Sequence, residues 1–245
     1  CPAVILAPQS PSDCFEMSFM ASKIAIEFMI PVILLSDGYI ANGSEPWKLP
    51  ELESLPEIKH KITDSKDSFH PYERDQETLS RMWAIPGTPE LEHRIGGLEK
   101  RDVSGNVSYD PENHDYMIRL RQKKVDIISN YIPKAKPFGD GNGDLLVIGW
   151  GGTYGAIRSA VEKARDENYS VSHLHIKYLN PLPSNLGEIL LKFEHVLIPE
   201  INLGQLSNLI RSKFLIDTIN HNKVTGKPFV MSDIHRKIVE ILKGN

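Results

Sequence analysis

The spacing of apolar residues at the start of the chain predicts a strand, a helix and a second strand. Residues 3–7 and 32–35 are apolar runs of strand length. A helix is predicted between them, with Ser10 as N-cap, Pro11 at the first helical position, and Pro31 after its end. Its apolar stripe consists of Met17, Met20, Ala21, Ile24 and Phe28. Two buried strands joined by a helix predict a parallel pair with a right-handed crossover.

The last hundred residues repeat this alternation several times. Apolar runs at 145–148 and 196–198 predict buried strands, 172–178 alternates between apolar and polar residues, and 216–220 predicts a further strand. Four helical stripes lie among them: Ile157, Ala160, Val161 and Ala164; Leu186, Ile189, Leu190 and Phe193; Leu203, Leu206 and Ile210; and Ile234, Ile238, Ile241 and Leu242. Strands that alternate with helices predict an α/β fold with a doubly wound, mostly parallel sheet.

The middle of the chain lacks this pattern and is rich in proline. It contains one predicted helix, which begins with Asp110 as N-cap and Pro111 and runs to about residue 130, and a hairpin tip at 103–107. A long stretch with so few core elements is typical of a connecting segment rather than of a compact domain. We therefore predict three parts: residues 1–41, 42–143 and 144–245.

Charge and cysteine content exclude several classes of protein. The chain has 28 Lys and Arg against 32 Asp and Glu, which does not predict a nucleic-acid binder, and no apolar run is long enough to span a membrane. Its two cysteines, Cys1 and Cys14, cannot hold a four-cysteine cluster or zinc site or form a disulfide framework, so we predict a cytoplasmic protein. Because the sequence opens inside an apolar strand, we expect it to be a piece of something longer.

The glycine-rich segment 149–155 follows a predicted strand and precedes a predicted helix, which is the setting of a phosphate-binding turn. However, the dinucleotide fingerprint requires glycine where Tyr154 stands and a carboxylate at the end of the next strand, where Asn180 stands. Three interpretations stay open: a tight strand-to-helix turn with close packing, a subunit contact, and a site for a nucleotide or another small molecule.

Other polar residues are weaker candidates. His173 and His175 project to one side of a strand, and we interpret them as a solvated face or an edge strand rather than as zinc ligands. The loop at 36–39 follows a predicted parallel strand, where open sheets bind ligands, although a plain turn is the alternative. Cys14 lies in the first turn of a helix and is interpreted as structural. No catalytic triad, nucleophile elbow or metalloprotease motif is present.

Four motifs, in order along the chain, resemble the alpha subunit of the 2-oxoacid:ferredoxin oxidoreductases. They are residues 6–8 (LAP) with 12–16 (SDCFE) and 31–39 (PVILLSDGY); 93–99 (HRIGGLE) with 108–114 (SYDPENH); 199–206 (PEINLGQL); and 224–229 (VTGKPF). The second resembles the interdomain segment of the 2-oxoglutarate branch. The resemblance implies a partial thiamine-pyrimidine-type βαβ region followed by a doubly wound, mostly parallel domain similar to the transketolase C-terminal domain.

The resemblance also implies oxidative decarboxylation of a 2-oxoacid to an acyl-CoA, with electrons leaving through iron–sulfur clusters to ferredoxin. Thiamine diphosphate, Mg²⁺ and the clusters belong to the full complex with a beta subunit, and none is held by this chain alone. No catalytic residue or metal ligand of that family is assigned to a position of this sequence. Asp37, Gly38 and Tyr39 are predicted to form the loop nearest the cofactor cleft. A second predicted contact with the cleft or with a subunit consists of Glu200, Asn202, Gly204 and Gln205, for which a strand-to-helix turn is the alternative.

The leading hypothesis is a fragment of the alpha subunit of a thiamine-dependent oxidoreductase of the 2-oxoglutarate type, which closes the cofactor cleft and is inactive alone. One alternative is a scaffold module of the same fold without catalysis, and another is a small-molecule binder at residues 149–155. The choice among 2-oxoglutarate, pyruvate and branched 2-oxoacids stays open, because the side chains that would discriminate them are not visible in this sequence.

Overall fold

The computed structural model describes residues 2–63, 65, 67 and 69–244. The chain divides into two compact units, each assembled from three separate segments. The first unit consists of Cys1–Val4, Ser18–Ile33 and Lys48–Tyr131, and the second of Ile5–Met17, Leu34–Trp47 and Ile132–Asn245. The three-part division expected from the sequence stays a prediction.

Nine strands and seven α-helices are present among the described residues. The strands are β1 (Val4–Leu6), β2 (Val32–Leu34), β3 (Ile62–Thr63), β4 (Trp83–Ala84), β5 (Gly143–Gly149), β6 (Val171–His175), β7 (Tyr178–Asn180), β8 (Phe193–Glu200) and β9 (Ile219–Asn222). The helices are α1 (Asp13–Phe28), α2 (Gly38–Ala41), α3 (Pro111–Ile128), α4 (Tyr154–Asp166), α5 (Leu186–Leu190), α6 (Gln205–Phe214) and α7 (Met231–Lys243). None of these helices is both long enough and apolar enough to cross a membrane.

The core of the second unit is a four-stranded parallel sheet in the order β6-β5-β8-β9. Successive residues of β5 point to opposite faces, and both faces are buried. Leu146 and Ile148 belong to an apolar cluster with residues of α5 and α6, whereas Leu145 and Val147 pack with residues of α4 and α7. Helices on both faces of a parallel sheet confirm the predicted doubly wound α/β architecture.

The predicted strand at 172–178 is two strands in the structure. β6 ends at His175, and β7 pairs antiparallel with β1, matching Ile5 with Asn180 and Leu6 with Tyr178. The chain therefore leaves one sheet for another within two residues, which the alternation of apolar residues does not indicate. The stripe predicted to end at Phe193 is also shorter, because α5 ends at Leu190 and Phe193 begins β8.

β6 lies at the edge of its sheet as predicted, but its histidines are not solvated. Phe138 exchanges two backbone hydrogen bonds with His173, at N···O distances of 2.7 and 2.9 Å, and covers the outer side of the strand. The guanidinium carbon of Arg158 lies 3.1 Å from the centroid of the Phe138 ring. His173 is only 2% exposed. The prediction of a solvated face is wrong because both faces of this edge strand are covered.

β2 is more exposed than the sequence predicts. It is the end strand of the order β2-β1-β7, and Ile33 and the following Leu35 are 47% and 39% exposed. The predicted burial of this strand is therefore wrong for the described residues. The apolar run has the length and composition of a core strand, but no described element covers these two side chains.

The segment Lys48–Tyr131 of the first unit contains little regular structure, as its sequence indicates. β3 and β4 form a two-residue parallel pair, and α3 is its longest continuous element. The predicted start of α3 is confirmed: the side chain of Asp110 accepts a hydrogen bond from the Glu112 N–H, and Pro111 is the first helical residue. The predicted hairpin tip is also present, because Lys100 and Val107 form an antiparallel bridge.

Candidate functional site

The candidate site lies in the second unit, where β5 and β8 end. These two strands are parallel neighbours, so their carboxyl ends share one edge of the sheet. The strand order reverses around β5, because β6 lies on one side of it and β8 on the other. Ligands of doubly wound folds bind at such a reversal point, in the crevice beyond the carboxyl ends of the strands. Residues 149–155 and 200–205, both singled out from the sequence, follow these two strands.

Glu200 ends β8 as a fully buried carboxylate with four hydrogen-bond donors around it. Its Oε1 accepts bonds from Trp150 Nε1 at 3.1 Å, from Asn202 Nδ2 at 3.0 Å and from the backbone N of Leu206 at 3.0 Å. Its Oε2 accepts from the backbone N of Ser207 at 3.1 Å. The first N–H groups of a helix have no partner within it, so a carboxylate at the start of α6 satisfies them. Glu200 therefore fixes the first turn of α6 and the indole of Trp150.

The loop after Glu200 is held by a second side chain. Asn202 Oδ1 accepts hydrogen bonds from the backbone N–H groups of Gly204 and Gln205, at 2.7 and 3.0 Å. Gly204 has a φ of +90°, which a residue with a Cβ rarely adopts. A Cβ there would also lie 3.1 Å from the amide nitrogens of Asn220 and Asn222. This loop is a strand-to-helix turn from which the side chain of Gln205 is exposed.

Asp37 connects the loop after β2 to the glycine-rich turn. Its Oδ1 accepts hydrogen bonds from the backbone N–H groups of Tyr39 and Ile40, both at 3.0 Å, and so caps α2. Its Oδ2 accepts from the backbone N–H of Gly152 at 2.6 Å. A Cβ on Gly152 would lie 2.5 Å from that same oxygen. The predicted plain turn is thus a capped four-residue helix, from which Tyr39 is 65% exposed.

The glycine-rich segment forms a tight turn with close packing, the first of the interpretations open from the sequence. Gly151–Thr153 is one turn of 3₁₀ helix that leads into α4, and Gly151 has a φ of +57°. Thr153 Oγ1 bonds to both the backbone N and the carbonyl of Trp150, at 3.2 and 2.8 Å. The N–H of Gly152, which a phosphate would need, is already bonded to Asp37.

Two hydrogen bonds therefore bring together three segments that the sequence analysis treated separately. Trp150 joins the glycine-rich turn to Glu200, and Gly152 joins it to Asp37. Both carboxylates are occupied by N–H donors, and no group of three His, Cys, Asp or Glu among the described residues could hold a metal ion. The arrangement positions loops rigidly and supplies neither a free base nor a metal site.

Trp150 is the site residue that sequence reasoning missed. It lies 50 residues from Glu200, and no local pattern signals a bond between an indole N–H and a distant carboxylate. The indole also packs against the apolar cluster that covers one face of the sheet. A buried indole N–H usually finds an acceptor, which accounts for the pairing but does not identify the partner.

The two histidines of β6 form a separate buried cluster with Tyr154. The ring centroids are 5.6 Å apart for Tyr154 and His173, 5.1 Å for Tyr154 and His175, and 5.7 Å for the two histidines. Burial is the main cause that lowers the pKa of His173 to about 3 and that of His175 well below its usual value. Both imidazoles are therefore neutral at pH 7.

Comparisons with known proteins find similar chains among the 2-oxoacid oxidoreductases. Residues 1–110 match a family model described as "Pyruvate flavodoxin/ferredoxin oxidoreductase, thiamine diP-bdg". The 2-oxoglutarate oxidoreductase subunit KorA of Mycobacterium tuberculosis is 51% identical over 246 residues, which cover 99% of this chain and 37% of that protein. The 2-oxoacid:ferredoxin oxidoreductase 1 subunit alpha of Aeropyrum pernix is 26% identical over 258 residues, with 99% and 39% covered.

A solved structure agrees with these relatives. The 2-oxoglutarate:ferredoxin oxidoreductase from Magnetococcus marinus, with 2-oxoglutarate, coenzyme A and succinyl-CoA bound, superposes with a TM-score of 0.91 and 30% identity over 98% of this chain and 42% of that chain. The α/β fold with mostly parallel sheets is therefore shared with that enzyme. The chain spans less than half the length of these proteins.

Proposed function

We propose that this chain is part of the alpha subunit of a thiamine-diphosphate-dependent 2-oxoglutarate:ferredoxin oxidoreductase. In that reaction the carboxyl group next to the ketone leaves as carbon dioxide, the remaining acyl group joins the sulfur of CoA, and the electrons released pass through iron–sulfur clusters to ferredoxin. The observation that carries this proposal is the 51% identity to a 2-oxoglutarate oxidoreductase subunit along nearly the whole chain.

We assign to this chain the closing of the cofactor cleft rather than the binding of the diphosphate. The diphosphate of thiamine diphosphate is held together with Mg²⁺, which takes one or two carboxylates as ligands in addition to phosphate oxygens. The carboxylates of Asp37 and Glu200 are engaged with N–H donors. These two carboxylates are therefore not free to bind that Mg²⁺ ion, and we assign the diphosphate end of the cofactor, with the iron–sulfur clusters, to other parts of the complex, including the beta subunit.

In this proposal the chain forms a wall of the cofactor cleft. Asp37 and Glu200 hold the loops that follow β2 and β8, so that the exposed groups on those loops keep a fixed position. Tyr39 is the largest exposed side chain of the predicted cleft-facing loop. A protein group that only shapes a cleft and excludes water contributes by orientation, while the cofactor supplies the chemistry.

The experiment is to substitute Tyr39 in the complete enzyme and measure 2-oxoglutarate- and CoA-dependent reduction of ferredoxin or a dye. We expect Tyr39→Ala to lower kcat/KM by roughly tenfold or more, because a misplaced cleft wall impairs positioning of the reacting groups. Tyr109→Ala is the matched control, since Tyr109 is also exposed, at 88%, but belongs to the first unit.

Two results would contradict the proposal. Equal activity of the Tyr39→Ala and Tyr109→Ala enzymes would show that the loop at 37–39 does not line the cleft. The chain by itself is predicted to be inactive, so 2-oxoglutarate-dependent reduction by the purified chain would contradict the cleft-wall role.

The same assay with pyruvate and with branched 2-oxoacids identifies the substrate. A complex that turns over none of them favours the alternative of a scaffold module.

A further inference from the structure

A strongly basic cavity lies within the first unit. It has a volume of about 180 Å³, and its lining, as far as the described residues form it, contains four basic residues and no acidic residue. The basic residues are Arg74, Arg81, Arg121 and Lys124. Its apolar lining includes Met29, Ile30, Leu79 and Met117. The chain as a whole has more acidic than basic residues, so this concentration of one charge is local.

Two of the four cations have no anionic partner in the part of the chain that the structure describes. Arg81 Nη1 donates to the carbonyl of Pro71 at 3.1 Å, and its guanidinium lies 4.2 Å from the centroid of the Tyr72 ring. Lys124 Nζ donates to the carbonyl of Met29 at 3.2 Å. Within the described ranges, neither side chain lies within 4.0 Å of a carboxylate oxygen. Their positive charges are held in place by neutral groups alone.

The other two cations are already paired. Arg74 lies 2.5 Å from Asp102 Oδ1, and Arg121 lies 2.9 Å from Glu99 Oε2. The side chain of Arg74 is only 12% exposed, so its pair with Asp102 is largely removed from water. The cavity thus keeps an excess of positive charge after its ion pairs are counted, and a buried charge without a counterion is costly.

We propose that this cavity binds a phosphate group, either as inorganic phosphate or on a small phosphate monoester. A pocket for a whole drug-sized ligand measures roughly 300–1,000 Å³, so this smaller cavity fits one compact charged group. Arginine and lysine are the side chains that bind phosphate most often, through charge-assisted hydrogen bonds. This inference does not depend on the proposed function, since its residues lie in the first unit and outside the candidate site.

The protonation of Lys124 provides a second readout. Burial first, and then the charges of Arg81 and Arg74, lower its pKa to about 7. An anion beside the amine favours the charged form and raises this pKa, so binding takes up a proton near and above pH 7. The charged and titratable groups that line the cavity together with Lys124 are Arg74, Arg81, Arg121 and Tyr72. The groups that in turn act on Arg74 and Arg121 are Asp102, Tyr116 and Glu99.

The test is calorimetric titration of sulfate into the full polypeptide that contains this chain, because sulfate keeps its charge between pH 6 and pH 8. We expect Arg81→Gln and Lys124→Gln each to weaken binding by roughly tenfold, as expected for one hydrogen bond between charged groups. Lys123→Gln is the matched control, because Lys123 is the exposed neighbour on the same helix. Wild-type affinity should fall from pH 6 to pH 8, and this dependence should disappear in Lys124→Gln.

Titrations of inorganic phosphate and of methyl phosphate then distinguish the two sources of the group, and either one binding supports the proposal. Several outcomes overturn it: no binding of any of these anions to the wild type, binding that survives both substitutions, or equal affinity for succinate, which spreads its charge over two groups.

Discussion

Replacing Glu200 by glutamine changes one oxygen of a fully buried carboxylate into an amide nitrogen. Oε1 accepts three hydrogen bonds and Oε2 accepts one, from Ser207 N. The glutamine keeps the larger number of bonds if its oxygen occupies the position of Oε1. Its NH₂ group then faces the N–H of Ser207, and two donors oppose each other inside the protein.

The size of the effect follows from these contacts. The lost hydrogen bond to a charged acceptor is worth about 1.5–3 kcal/mol. The lost negative charge at the start of α6 adds about 0.3–1 kcal/mol. We therefore expect Glu200→Gln to lower the free energy of unfolding by about 2–4 kcal/mol. For a chain of this length that corresponds to a fall in Tm of roughly 4–16 °C.

The measurement is thermal and urea unfolding followed by circular dichroism. Glu194→Gln is the control, because Glu194 lies on the same strand with its side chain 72% exposed, and such a change is typically worth within about 0.5 kcal/mol. Trp150→Phe isolates the indole bond and should cost about 1 kcal/mol. If Glu200→Gln unfolds at the same temperature and urea concentration as Glu194→Gln, the four bonds do not stabilise the loop and our account of this site is wrong.

Two further predictions concern the turn and the buried histidines. Gly152→Ala should destabilise the protein by about 1–3 kcal/mol, because the new Cβ would displace the Asp37 carboxylate. Gly155→Ala is the control in the same unfolding assay and should be neutral or stabilising, because a Cβ at that position meets nothing within 4 Å. If Gly155→Ala were the more destabilised protein, the close approach of Gly152 to Asp37 would be contradicted. Because folding lowers the pKa of His173 from about 6.5 to about 3, its contribution to stability is complete above pH 6.5 and is lost as the pH falls towards 3, by up to about 1.4 kcal/mol per pH unit. Urea unfolding between pH 7 and pH 4 should show a shallower loss for His173→Leu than for the wild type. Equal slopes for the two proteins would refute this.

The parts of the fold that the sequence predicts are those decided by local chemistry. Asp110 and Pro111 mark the start of α3 because a carboxylate cap and a residue without an N–H both suit the first turn of a helix. The stripe from Ile157 to Ala164 is fully buried, because residues three and four apart share one face of a helix. The parallel sheet follows from the alternation of such segments.

The contacts that sequence could not predict join residues far apart in the chain. Asp37 and Gly152 are 115 positions apart, and Trp150 and Glu200 are 50 apart. The carboxylates were singled out because they follow strands, but their partners are backbone and indole N–H groups whose positions depend on the finished fold. The backbone pairing of Phe138 with His173, 35 positions later, likewise has no local signal in the sequence.

The cover on β6 also decides how this sheet could grow. A neighbouring polypeptide that adds a strand needs free N–H and C=O groups along an edge, and at His173 both are already taken by Phe138. The opposite edge, β9, has only β8 as a neighbour among the described strands, and its Asn220 and Asn222 are exposed. Within this four-stranded sheet, the described edge left open to a strand from another polypeptide is therefore β9, whose exposed residues are polar amides rather than apolar side chains.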